Sequence, residues 1–107
     1  MDIAQVNRAG KAIIEALNKH AYGSKNAEAL REITKLADDA LYASEYNAYI
    51  SEKAGSIKHY AGVLYSTRKH AALPQDDQIG AEGVHHFILS DASILANWMP
   101  FSAPPKE

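Results

Sequence analysis

Apolar residues near the start of the chain recur at helical spacing. Ile3, Val6, Gly10, Ile13, Ile14 and Leu17 follow one another at steps of three and four, which draws a single apolar stripe along an amphipathic helix. Asn7, Arg8, Lys11, Glu15 and Asn18 occupy its other side. Asp2 followed three residues on by Gln5 resembles a capping box, in which side chains satisfy the unpaired amides of a helix start. Tyr22-Gly23-Ser24 is expected to end this helix, with Gly23 as a left-handed C-cap and Ser24 as the next N-cap.

From Asn26 to about Leu73 the chain has no proline and is rich in Ala, Leu, Glu, Lys and Arg, all good helix formers. Leu30, Ile33, Ala37 and Ala40/Leu41 form one stripe, and Ile50, Ala54, Ile57, Ala61 and Leu64 form another. The two do not share a register; the slip falls near Tyr46 to Ile50, with Gly55-Ser56 just beyond. The pattern therefore predicts either a break or kink between about 47 and 56 or one continuous helix with a stutter. Length separates the two in consequence. An unbroken helix would reach roughly 68 Å, of which the first helix could cover only about 27 Å. A continuous helix implies self-association, whereas a broken one, the favoured reading, allows a compact bundle. Ala27, Ala37, Ala40, Ala43, Ala48, Ala54 and Ala61 permit close helix packing, and a homodimer through this second helix is an expectation.

Pro74 to Gly83 carries a proline, two glycines and three acids without a period, and is expected to be a loop. Val84 to Leu89 suits either a short strand or a buried helical turn. Ser90 or Asp91 then caps a predicted short helix carrying Ile94, Leu95 and Trp98, stopped by Pro100. The expected fold is all-α: a small helical bundle built on a helical hairpin, with a long or kinked second helix and a short C-terminal helix. One domain is predicted over residues 1–101, and a disordered tail over 102–107.

Composition narrows the function classes. The chain has 107 residues and a net charge of −2, without the basic excess of a dedicated nucleic-acid binder. Its lack of cysteine removes disulfides, thiolate zinc sites and cysteine nucleophiles. Neither a signal peptide nor an apolar run long enough for a membrane span is expected, so the cytoplasm is the predicted location. Residues 51–70 are basic (net +3), and residues 71–107 are acidic (net −4).

Tyrosine is the unusual feature. Tyr42, Tyr46 and Tyr49 are spaced at i, i+4 and i+7, which predicts one helical face, with Lys53 and Tyr60 near its continuation. Tyrosine is a rigid apolar ring with a polar tip, a residue type enriched in binding surfaces. This set is the expected partner-binding site, weighed against a half-buried face whose hydroxyls reach water. The basic run Lys53, Lys58, His59, Arg68, Lys69 and His70 is the alternative, a nucleotide or nucleic-acid site in which rings stack on bases and cations meet phosphates. A solvated helix surface explains that run more simply.

Other candidates are weaker. His85-His86 points two imidazoles in different directions, and even with Glu82 it makes a poor zinc set. Asp38-Asp39 and Asp76-Asp77 are paired in sequence only, and neighbours on a helix diverge by about 100°. Trp98, Met99 and Phe101 form an apolar cluster suited to a core plug or an interface anchor. Nucleophile-elbow, phosphate-loop and His-Glu-x-x-His patterns are absent. The expected function is that of a small protein-interaction module: an inhibitor, adaptor or immunity-type protein, of the kind phages and mobile elements carry. It would act on a partner protein's surface without catalysis, cofactor or metal.

Overall fold

The computed structural model of the protein describes residues 1–20, 26–65 and 80–99. They form four helices: α1 (Ile3–Lys19), α2 (Ala27–Ala43), α3 (Ala48–Tyr65) and α4 (Gly80–Ala96). The fold is an all-α helical bundle. α1 packs on α2 and α4, and α3 packs on the same two neighbours, which closes the four into a ring.

Contacts between ends show that successive helices run antiparallel. Asp2 N, at the start of α1, donates to Ala43 O at the end of α2, while Asn26 N, at the start of α2, donates to Tyr65 O at the end of α3. Tyr49 meets Trp98 and Tyr60 meets Phe87, so α4 returns along α3.

The apolar stripes become the core. Val6, Ile13 and Leu17 from α1 are buried, as are Ile33, Ala37 and Ala40 from α2. Ile50, Ala54, Ile57, Ala61 and Leu64, the second predicted stripe, are buried without exception. Val84, Ile88, Ala92 and Leu95 supply α4's share at steps of four, four and three. The alanines at 37, 40, 54 and 61 thus serve packing inside one chain. α1 and α4 approach closely at Gly10, where an added methyl would strike Ala96 N and lie 2.8 Å from Ala92 O. Asn7 Nδ2 fastens the same seam by donating to Leu95 O (2.9 Å) and Trp98 O (3.2 Å), carbonyls at the C-terminal end of α4.

Several expectations are corrected. The segment after Asn26 forms two helices, the broken alternative, but the turn between them spans Ser44 to Asn47, at the leading edge of the predicted 47–56 window, and Gly55-Ser56 lies inside α3. The apolar surface that made a long helix demand a partner is therefore covered by the chain itself. The C-terminal helix is 17 residues long and starts at Gly80, so the predicted loop does not extend through Gly83, and Ser90 and Asp91 lie within the helix, where they cap nothing. Val84 to Leu89 is helical. Asn26 caps α2, its Oδ1 accepting from Ala29 N at 3.0 Å, in place of Ser24. Asp2 caps α1 as predicted, accepting from Gln5 N at 3.0 Å. Gln5 turns to Arg8, however, and the Asp2 amide goes to Ala43, so the reciprocal half of the box is not made. Tyr22-Gly23-Ser24, Pro74 and the 102–107 tail lie outside the described residues.

Candidate functional site

The α2–α3 corner is built without glycine or proline. Glu45 N donates to Tyr42 O and Tyr46 N to Leu41 O, each at 3.0 Å, the paired bonds of a Schellman helix ending. The position that glycine usually fills is Glu45, with φ of 57°, and Tyr46 follows at 62°. Left-handed backbone costs a residue with a Cβ on the order of 1–2 kcal/mol. Polar side chains hold it in place. Ser44, the buried polar residue of the turn, donates from Oγ to Leu41 O at 2.8 Å and accepts from Asn47 N at 3.2 Å. Asn47 then starts α3, its Oδ1 accepting from Tyr49 N and Ile50 N at 2.9 and 3.1 Å. Glu45 lies 3.2 Å from the Met1 amine, which adds a tie to α1.

This turn changes the arrangement of the tyrosines. Tyr42, Tyr46 and Tyr49 do not share one helical face: the first is on the last turn of α2, the second in the turn itself, and the third on the first turn of α3. They remain neighbours around the corner, 59%, 63% and 43% exposed respectively. Tyr42 and Tyr46 meet edge to face with ring centres 5.7 Å apart. Tyr49 stacks on Trp98 at 5.3 Å, and Lys53 Nζ sits 5.2 Å from the Tyr49 ring centre. Trp98, half-buried against the core, also points Nε1 at Met1 Sδ (3.4 Å). It acts as both core plug and wall of the aromatic corner. Met99 beside it is exposed, and Phe101 lies outside the described residues.

Tyr60 does not join this group. It lies eleven residues beyond Tyr49 on α3, roughly 16 Å along the axis, and packs on Phe87 and the edge of His59. The alternative basic site is divided as well. Lys58 is held at 2.7 Å by Asp38, Lys53 lies over Tyr49, and Arg68, Lys69 and His70 fall outside the described residues. Asp38 and Asp39 pair with different lysines, Lys58 and Lys35, as their divergence on a helix requires. Asp76-Asp77 is not described. Glu82, His85 and His86 lie on α4, and among the described residues no group of three or more His, Asp or Glu side chains comes close enough to hold a metal. No helix among them is long and apolar enough to cross a membrane.

The sequence analysis missed a polar cluster at the other end of the bundle. His20 Nε2 is 3.1 Å from Glu32 Oε1, and Asn26 Nδ2 is 3.4 Å from His20 Nδ1. An amide nitrogen only donates, so Nδ1 accepts and Nε2–H is the donor to Glu32. That bond, with help from Lys19 at 3.4 Å, outweighs burial and holds the Glu32 carboxyl below its ordinary value. Tyr65 meets His20 edge-on, and its hydroxyl is buried without a hydrogen-bond partner among the described residues; desolvation pushes its pKa up. Tyr65 is far from the others in sequence, and His20, Asn26 and Glu32 carry no local pattern that would have joined them. Comparison with protein families, with curated proteins and with solved structures finds no match to this chain, so what it does must be read from these side chains.

Proposed function

We propose that the protein is a small interaction module that docks a partner protein on its α2–α3 corner and performs no chemistry of its own. Inhibitors, adaptors and immunity-type proteins of phages and mobile elements work in this manner. The observation that carries the reading is Tyr46, a tyrosine 63% exposed on left-handed backbone. Folding gains little from it, since among the described residues its one ring contact is the edge of Tyr42. Strain combined with exposure at a large aromatic residue has a rationale when that ring is presented to something else. Tyr42, Tyr49 and Lys53 extend the surface, and the Trp98 stack fixes Tyr49 in place, which lowers the entropy lost on docking. Lys53 at the rim favours a partner patch bearing carboxylates.

The test is affinity capture from the native host followed by reconstitution with the purified partner. The double variant Tyr46→Ala, Tyr49→Ala should weaken that complex by about 30-fold or more, the loss of one strong aromatic anchor. Its circular dichroism should match that of the wild type, because both rings are largely outside the core. Undiminished affinity would reject the corner as the binding surface.

A further inference from the structure

A cleft of about 200 Å³ runs between α3 and α4, lined by Ser56, Tyr60, Phe87, Ser90 and Asp91. It shares no residue with the Tyr42–Tyr46–Tyr49 corner and does not depend on that reading. Its layout follows from the helix register. Tyr49 faces Trp98 and Tyr60 faces Phe87, so the antiparallel pairing sets Ser56 across from Asp91. On each helix the aromatic and the polar residue are four positions apart, on one face and one turn from each other. The cleft thus has an aromatic end, with rings 5.3 Å apart and tilted by 50°, and an acidic, hydroxylated end.

Asp91 decides the chemistry. It is half-buried, and among the described residues no cation pairs with it. The basic side chains on the facing helix are engaged elsewhere: Lys53 lies over the Tyr49 ring and Lys58 pairs with Asp38. His59 flanks Tyr60 edge-on. An anion would be repelled here, and an uncharged apolar ligand would leave a carboxylate and two hydroxyls unpaired. A hard metal ion takes six or more oxygens, and a single carboxylate with two hydroxyls is too small a set. A group with a positive charge on an alkyl body fits both ends, its methyls or methylenes against the ring faces and its charge toward the acid.

We propose that this cleft binds a small organic cation, an alkylammonium or guanidinium group, against the Tyr60–Phe87 pair with its charge facing Asp91. Clefts for drug-sized ligands run about 300–1,000 Å³, so this one suits a group no larger than choline or the end of a basic side chain. The same chemistry has two sources, a free amine or a lysine or arginine of a polypeptide, and the titration separates them.

The experiment follows amide shifts of the nitrogen-labelled full chain during titration with choline chloride, methylguanidine and lysine blocked at both termini. Saturable shifts centred on Ser56, Tyr60, Phe87 and Asp91, in the millimolar range expected of so small a ligand, support the site. The carbon isostere of choline, in which a quaternary carbon replaces the nitrogen, should bind on the order of tenfold more weakly to the wild-type chain. Asp91→Asn should lose a similar factor for choline and leave the isostere unchanged. Tighter binding of choline assigns the site to a free amine, whereas tighter binding of methylguanidine or blocked lysine assigns it to an arginine or lysine side chain of a polypeptide. Absence of saturable shifts with all three cations, or an isostere that binds as well as choline, would overturn the proposal.

Discussion

At the α2–α3 corner Tyr46 stands 63% exposed on backbone with φ of 62°, whereas at the opposite end of the bundle Tyr65 is wholly buried and its hydroxyl finds no partner among the described residues. Each tyrosine carries a cost, and the costs differ in kind. Tyr65 contributes ring volume to the core, alongside Ile33, Ile57 and Leu64, and for that its hydroxyl is superfluous. Tyr46 contributes almost nothing to the core and is held outward by a turn that a glycine would make with less strain. A cost inside the bundle serves packing, while a cost at the surface calls for a partner.

The largest expected effect tests the inward half of that contrast. Tyr65→Phe keeps the ring and removes the unpaired hydroxyl, so the fold should gain about 1–2 kcal/mol, read as a higher urea midpoint at unchanged slope. A lower midpoint would mean that the hydroxyl is bonded in solution, and the two ends would no longer differ as described. Tyr46→Gly tests the outward half. It relieves the left-handed backbone but gives up the edge contact with Tyr42, for a net gain of about 0.5–1 kcal/mol. The same variant should lose the partner. A more stable protein that binds less well is the signature of strain kept for function, and a variant that binds as before would detach the strain from binding.

The two ends were legible in the sequence to different degrees. Ile50, Ala54, Ile57, Ala61 and Leu64 announced a buried stripe because a core-facing helix must repeat every three or four residues. Their slip against the preceding stripe announced that the helix does not run through. The position of the turn was not legible, because the usual breakers are missing: Glu45 sits where glycine is expected, and Ser44 and Asn47 do the work by hydrogen bonds that look like ordinary helix-surface residues. Asn47 was the available signal, a good N-cap just ahead of the new stripe. The spacing of Tyr42, Tyr46 and Tyr49 suggests one face only on the assumption that all three are helical; the turn breaks that face, leaving Tyr42 against Tyr46 and Tyr49 against Trp98. Gly80 and Gly83 read as loop residues and hide the start of α4, although Val84, Ile88, Ala92 and Leu95 repeat at helical steps. The His20–Asn26–Glu32–Tyr65 group depends on three helices meeting, which no local pattern encodes.

The smallest effect lies in that group. Glu32 is held below its ordinary value of 4.5, first by the His20 hydrogen bond and then by Lys19, although partial desolvation pushes the other way. A carboxyl lowered in the folded state contributes stability that is complete above its unfolded value and is lost as pH falls through the lowered one. The side chain is 35% exposed, so solvent screening keeps the contribution under about 1 kcal/mol. Glu32→Gln can still accept from His20 but cannot titrate. At neutral pH the wild type should therefore be slightly the more stable, and the difference between their urea midpoints should shrink as the pH is taken below the ordinary glutamate range. A difference that stays constant across that range would show that the charge of Glu32 does not fasten this end, leaving the bond from Asn26 N to Tyr65 O to tie α2 to α3 there.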